Sequence, residues 1–521
     1  MSLSRRKFLA SSGAAALPLL AAGRVPFGLP KSRLFEALAA DESDRVLVLI
    51  NLTGGNDGLN TIVPLDQVDA LAAVRGNLAL PRERLVGLDD LNALHPALQP
   101  LRRLWDDSQF GIVRGVGYPD QNRSHFRSSD IWNTASESQQ VLRTGWLGRY
   151  FDTEHPGFPE GYPNARHTDP IAVSLGNIAS ETCQGVLGNF TLTVNDPLAV
   201  TSLLEGAGGD VPDNEFGREL AFVRTTIAQA NAYGAIVERK TKTGRTNGAY
   251  PEGNPLAAYL SSVVRMISGG LETKAYIVTL GGFDTHADQI EAGDPLAGTH
   301  SGLLAALAEA VAAFQADLAA QGLQERVLAM TYSEFGRRIR SNDALGTDHG
   351  SAAPMMLFGE CVRAGVLGQN PVIDRAVDEQ EGVPMQYDFR DVYGSVLEDW
   401  FGLPPATIRE VLHDDYQRLP ILRDCDVASG VDAYDPTALT LSAAPSLFEQ
   451  RLRIDFATTR SGRVSLTAYD VQGAVVERLF DRRLPAGEQA VHVDASAYPR
   501  GVIVFRLREG DVVRVVRTVR L

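Results

Sequence analysis

Cysteine is nearly absent. Cys183, Cys361 and Cys425 are the only three in 521 residues. They are odd in number and widely spaced, and no CxxC pair occurs. This argues against a thiolate zinc site and against a disulfide framework. Any metal would therefore take oxygen and imidazole ligands. Three common signatures are also missing. Without GxSxG there is no nucleophile elbow of the α/β-hydrolase kind. Without GxxxxGK[ST], or a GxGxxG following a strand, nucleotide binding has little support. Positive charge is in deficit: 49 Lys and Arg stand against 64 Asp and Glu, for a net charge of −15. Phosphate backbones need clustered Lys and Arg, so nucleic acid is excluded as the main partner.

What is present describes a folded chain. The composition is 44% hydrophobic and 22% charged, ordinary for a globular protein. The length implies two or three domains. The first 40 residues read as a signal and spacer. Arg5 and Arg6 precede a modest apolar stretch, Phe8 to Ala22, that is Ala-rich and interrupted by Pro18. It is too short and too weakly apolar to span a bilayer. The paired arginines with Phe8 and Leu9 resemble a twin-arginine export signal. The expected partner is the twin-arginine translocase, and no transmembrane helix is expected in the mature protein.

From about residue 41 to 430 the pattern is α/β. "VLVLINL" (46 to 52) is a short, continuous, β-branched run, as expected of a strand buried on both faces. "FGIVRGVG" (110 to 117), "AYIVTL" (275 to 280) and "RVLAMTY" (326 to 332) are further strands. Between them lie helical patterns, "NPLAAYLSSVVRMISGG" and "HSGLLAALAEAVAAFQADLAAQG" among them. Strands alternating with helices predict a three-layer α/β/α sandwich around a mostly parallel sheet. The stretch from 150 to 270 is less regular and reads as an insertion or cap. Residues 431 to 445 read as a linker. From 446 to 521 short alternating strands separated by turns predict a small antiparallel β-sandwich.

Ligands of open parallel sheets bind beyond the carboxyl ends of the strands. Each strand candidate here ends in a polar loop. Asn56 and Asp57 follow the first, Ser124 and His125 the second, and Asp284 and His286 the third. Glu334 follows the fourth, with Asp348 and His349 a short loop later. Taken singly, each has a plain reading. Asp57 suits a turn, Ser124 a helix cap, and Glu334 a pair with Arg337 or Arg338. Taken together they predict a cluster of carboxylates and imidazoles at one rim, for which divalent cations are the simplest compensation. One or two ions are expected, with zinc, manganese or calcium as candidates. Asp57, Asp284, His286, Glu334, Asp348 and His349 are the candidate ligands. Ser124 and His125 are the candidate catalytic groups. Arg123, Arg127, Arg337 and Arg338 flank these loops and suit an oxyanion. His300 opens the long helix after the Asp284 loop and is a weaker candidate, with Asn56.

"VLVLINLTGGNDGLNTIVP", "NRSHFRSSDIW", "GWLGRY", "GGFDTH" and "TYSEFGRRIRSN…GTDHGSAAPMMLFG" occur in order. Together they resemble the bacterial family called domain of unknown function 1501, over roughly residues 40 to 425. That family is placed in the alkaline phosphatase and sulfatase superfamily. The resemblance implies a metal site at the sheet's C-terminal rim. Asp57 matches the first-strand ligand, and Ser124 sits where a nucleophile would sit. Asp284 with His286 resembles a later ligand pair, Glu334 the strand-end acidic position, and Asp348–His349 the superfamily's Asp-His pair. Asp284 and His286 are more closely spaced than is usual there. No Cys-x-Pro-x-Arg motif occurs, so formylglycine chemistry is not implied. The tail, "RVSLTAYDVQGAVVERLFDRRLPAGEQAVHVDASAYPRGVIVFRL", resembles the sorting domain of type IX secretion substrates. It implies passage through the periplasm to the outer-membrane surface or the medium. Two functions follow as expectations. One is an exported metal-dependent hydrolase of phosphate or sulfate esters, on a small-molecule or glycan substrate. The other is a noncatalytic surface protein that keeps the fold for binding.

Overall fold

The computed structural model describes residues 44–203, 211–423 and the C-terminal stretches 440–444, 447–448, 450–458, 462–470, 474–484, 487–509 and 512–520. The expected export signal and most of the expected linker lie outside the described residues. The chain divides into two compact units, the first from Asp44 to Cys425 and the second from Asp426 onward. Each is treated by itself.

The first unit is built on strand β1, Val46–Thr53. Every residue from Val46 to Ile50 is buried, so the strand has no solvated face. Leu47 and Leu49 enter one hydrophobic core, while Val46, Val48, Ile50 and Leu52 enter another. Burying each such side chain stabilises the fold by about 1.5–3 kcal/mol, and only the centre of a sheet covered on both sides accommodates such a run. Strands β2 (Phe110–Gly117), β3 (Ala172–Leu175), β4 (Thr191–Val194), β5 (Ala275–Gly281), β6 (Val327–Tyr332), β7 (Ala353–Phe358), β8 (Gly365–Leu367) and β9 (Tyr387–Asp388) complete it. The order is β8-β2-β7-β6-β1-β5-β3-β4, with β9 also on β2. β1 is parallel to both β5 and β6. β7 alone runs the other way and separates β6 from β2. The four strands read from the sequence therefore point in one direction and deliver their following loops to one rim.

Helices α1 (His125–Thr134), α2 (Trp146–Glu154), α3 (Glu215–Thr243), α4 (Pro255–Ser268) and α5 (Thr299–Ala320) flank the sheet. The Asn254 side chain caps α4 by accepting from Ala257 N–H, with Pro255 in the first turn, a favourable start. By length and composition α5 passes as a membrane span. Its Leu304, Leu307, Val311, Phe314 and Leu318 are instead buried in the core beside the sheet. Residues 150–270 are not simply an insertion. They supply β3, which pairs with β5, and β4, which pairs with β3. Strands of four residues between turns carry too little periodicity to stand out. Cys183 is free and buried, and Cys361 is disulfide-bonded.

The second unit has two sheets. One has the order β10-β12-β15, from Thr440–Ala444, Arg451–Thr458 and Gly487–Asp494. Its first strand occupies the end of the expected linker and pairs with Arg451–Thr458. The other has the order β11-β17-β16-β13-β14, from Leu447–Phe448, Val512–Arg520, Gly501–Glu509, Gly462–Tyr469 and Val475–Leu484. Ile454, Phe456, Val464, Leu466, Phe505 and Leu507 form the core between them. Alternation places polar residues outward on these strands, as in Arg451–Thr458.

Candidate metal centre

The loops after β1, β2, β5 and β6 meet at the rim. The turn after β1 lies against the Asp284 backbone. A Cβ on Gly54, whose φ is +123°, would stand 2.2 Å from Asp284 N, so glycine is needed for the approach. Arg337 fixes this arrangement. It is wholly buried. Its guanidinium donates to the carbonyls of Gly54, Gly55, Phe283 and Thr347 and to Asp284 Oδ1.

Around Asp284 stand three imidazoles. The Nε2 atoms of His349, His286 and His125 lie 3.1, 3.2 and 3.4 Å from Asp284 Oδ1. Each ring is held from behind through Nδ1. His125 Nδ1 donates to Glu334 Oε1 at 2.7 Å, His286 Nδ1 to Asp348 Oδ1 at 2.9 Å, and His349 Nδ1 to the Arg123 carbonyl at 2.8 Å. All three partners are acceptors, so Nδ1 carries a proton and, in a neutral ring, the Nε2 lone pair faces Asp284. His286 and His349 Nε2 are 2.8 Å apart. Two lone pairs repel at that distance unless a proton or a cation lies between them. His125 Nε2 is buried and makes no hydrogen bond.

A group of His125, Asp284 and His349 has its ligand atoms all within 4.8 Å of one another. Imidazoles oriented through Nδ1 by a carboxylate or carbonyl are the usual support of metal-binding histidines. The residues present thus fit a divalent ion. Burial opposes ionisation of Asp284, but the Arg337 guanidinium prevails and holds its pKa down to about 2. Burial lowers the His349 pKa. Carboxylate and neutral imidazole are the forms a metal needs.

The other candidates take different positions. Asp57 does not join the cluster. It is buried and receives both oxygens' contacts from Arg75 Nη1, at 2.8 and 3.0 Å, with Gln289 Nε2 at 2.7 Å. An unpaired carboxylate there would cost several kcal/mol. Burial resists its charge, but Arg75 pulls its pKa below the usual value. Glu334 and Asp348 stand behind the imidazoles. Glu334 Oε1 also accepts from Gly54 N–H at 2.9 Å, and Asp348 Oδ2 is 3.1 Å from Arg338 Nη1. Ser124 is the N-cap of α1. It is exposed, forms no side-chain cap hydrogen bond, and directly precedes His125.

The four arginines divide. Arg337 is saturated by five acceptors, and Arg127 is bound to the carbonyls of Glu137, Ser138 and Gln140. The Arg123 guanidinium has no hydrogen bond or ion pair among the described residues. Burial and the nearby charge of Arg338 lower its pKa. Arg338 also reaches the His349 carbonyl. His300 is buried and pairs through Nε2 with Asn56 Oδ1 at 3.0 Å. Arg75 and Gln289 were not singled out by sequence. Neither belongs to a recognisable motif, and their pairing with Asp57 spans 18 and 232 positions.

Residues 263–412 match the model of a family described as protein of unknown function (DUF1501). The matched stretch holds Asp284, His286, Glu334, Asp348 and His349 but not Ser124 or His125. No curated protein matches the chain. Among solved structures, a Vibrio parahaemolyticus protein of the alkaline phosphatase superfamily aligns at 9% identity and TM-score 0.34, covering 88% of this chain and 85% of that one. A phosphonate monoester hydrolase from Silicibacter pomeroyi aligns at 10% and 0.34, covering 91% and 88%. A structure from work on glycosaminoglycan metabolism by Bacteroides thetaiotaomicron aligns at 10% and 0.35, covering 87% and 90%. Likeness at that level carries no argument about the reaction.

Two outcomes are expected. Glu334→Ala frees the His125 ring and weakens metal affinity by about 10–100-fold, measured by competition with a chelating dye. Unchanged affinity would show that the Nδ1 contact does not orient the ring. The second concerns pH. Burial lowers the pKa of His95 to about 3 and of His300 to about 4 from an ordinary 6.5. The unfolded chain binds these protons first, so their contribution to stability is intact above pH 6.5 and is lost as pH falls toward 4 and 3. His300→Gln should flatten part of that slope in denaturant titrations across pH 4 to 7.

Proposed function

We propose that the first unit is a metal-dependent hydrolase of phosphate or sulfate esters. The observation that supports this most is the set of Nδ1-anchored imidazoles aimed at Asp284 Oδ1. His125, Asp284 and His349 would hold one ion, with His286 beside them. Two imidazoles and one carboxylate suit zinc or manganese better than calcium, which prefers oxygen ligands throughout. With Asp57 closed off by Arg75, and Glu334 and Asp348 engaged with the imidazoles, one ion accounts for the cluster better than two. When bound, such an ion polarises an ester oxygen and lowers the pKa of a coordinated hydroxyl or water.

The chain's own groups supply the rest. Ser124 offers an exposed hydroxyl next to His125 and is the proposed nucleophile. Attack of its Oγ on phosphorus or sulfur would form the new ester bond and expel the alcohol; water would then free the serine and the inorganic anion. The first N–H groups of α1 favour an anion in front of them. Arg123, and beyond it Arg338, suit the non-bridging oxygens. The noncatalytic reading draws on one observation: Arg75 and Gln289 occupy the Asp57 carboxylate, so a two-ion clamp lacks its first-strand ligand.

We also propose that the chain is exported, by the twin-arginine translocase and then the type IX machinery, to the outer-membrane surface or beyond. The twin arginines ahead of a short apolar stretch and the strand-and-turn pattern of the tail support this.

The test is turnover of aryl phosphate, phosphonate and sulfate monoesters by zinc- or manganese-loaded protein. Hydrolysis is expected, with Ser124→Ala and His349→Ala each slower by about 100-fold or more. Full metal loading with no turnover of any ester would favour the binding protein instead.

A further inference from the structure

The charge of the chain is unevenly divided. Residues 440–521 contain 13 Arg, no Lys and 9 Asp and Glu, a net of +4, although the whole chain is at −15. The sheet containing β13, β14, β16 and β17 concentrates this excess on its outer face. On β16, Leu507 is buried while Arg506 and Arg508 on either side of it are exposed. Thr467 of β13 pairs with Arg506 on one side and with Arg478 of β14 on the other. Ser465, two residues earlier, pairs with Arg508 and with Asp481. Arg463, two earlier again, lies on the same face and pairs with Asp481 at 2.7 Å.

Arg463, Arg478, Arg506 and Arg508 thus share one face with a single carboxylate, Asp481, among the described residues of these strands. Thr467 and Ser465 between them are short, and Thr467 is buried beneath its neighbours. Neighbouring strands are about 4.8 Å apart and alternate residues along a strand about 6.8 Å. The arginines therefore form a grid about 7–10 Å in spacing, too wide for one small anion and suited to a chain carrying repeated anions.

We propose that this face binds an anionic polysaccharide, one bearing sulfate or phosphate groups. Guanidinium groups pair with such oxyanions in a planar fork. Tyr469, on the same face beside Val504, offers an aromatic surface to a sugar ring. A lipid surface fits less well, because a membrane-docked face needs several apolar anchors and Val475 and Val515 are the exposed large hydrophobes among the described residues of these strands. Binding here does not depend on the esterase reading.

The test is binding of the full chain to dextran sulfate, with neutral dextran of equal length as the control and anionic lipid vesicles and duplex DNA as competing classes. Dextran sulfate is expected to bind and dextran not, with affinity falling as salt rises. The double substitution Arg506→Gln and Arg508→Gln should weaken binding by about tenfold and reduce the salt dependence. Asp284→Ala should bind as the wild type does, which separates this surface from the metal centre. Equal affinity for both dextrans, wild-type affinity in the double variant, or stronger binding to vesicles or DNA than to dextran sulfate would each overturn the proposal.

Discussion

One buried guanidinium holds the rim together. Arg337 joins the turn after β1, the end of β5 and the segment leading to Asp348 through four carbonyls and one carboxylate. A buried carbonyl left without a partner costs about 1–3 kcal/mol; the Phe283 carbonyl also accepts from Thr285 N–H at 2.8 Å, whereas Arg337 is the donor to those of Gly54, Gly55 and Thr347. Burial resists the charge of Arg337, and Asp284 offsets it. The same contact fixes Asp284 Oδ1 at the centre of three imidazoles. Fold and site therefore share one interaction: the residue that closes the loops also orients the carboxylate.

The imidazoles are fixed in the same manner. Glu334, Asp348 and the Arg123 carbonyl each hold an Nδ1 and leave an Nε2 directed inward. Phe335 fills the space between rings, with centroids 4.9 Å from His125 and 4.6 Å from His349. His349 is central, its ring 4.4 Å from His125 and 4.5 Å from His286. Groups placed so rigidly lose little freedom on taking up a ligand. The peripheral charges are also sorted. Arg75 neutralises Asp57, Arg127 is bound to loop carbonyls, and Arg123 remains the guanidinium best placed to meet an anion.

Much of this is legible in the sequence because it depends on strand direction. β1, β2, β5 and β6 are apolar runs bounded by turns, and parallel strands carry their following loops to one edge. That is why His125, Asp284, His286 and His349 meet although they are distant along the chain. What the sequence does not reveal is which carboxylate faces the centre. Asp57, Glu334 and Asp348 have the same chemistry as Asp284, and only long-range partners distinguish them. The pairing of Asp57 with Arg75 leaves no local trace. Likewise, β3 and β4 are too short to declare themselves, so residues 150–270 read as an addition to the sheet and not as part of it.

The most direct test of the metal centre is the metal-to-protein ratio of the purified chain, measured by mass spectrometry after reconstitution with zinc or manganese and removal of free ion. The arrangement around Asp284 predicts about one equivalent bound by the wild type and essentially none by Asp284→Ala. A wild type that retains no metal, or a variant that retains as much as the wild type, would contradict it.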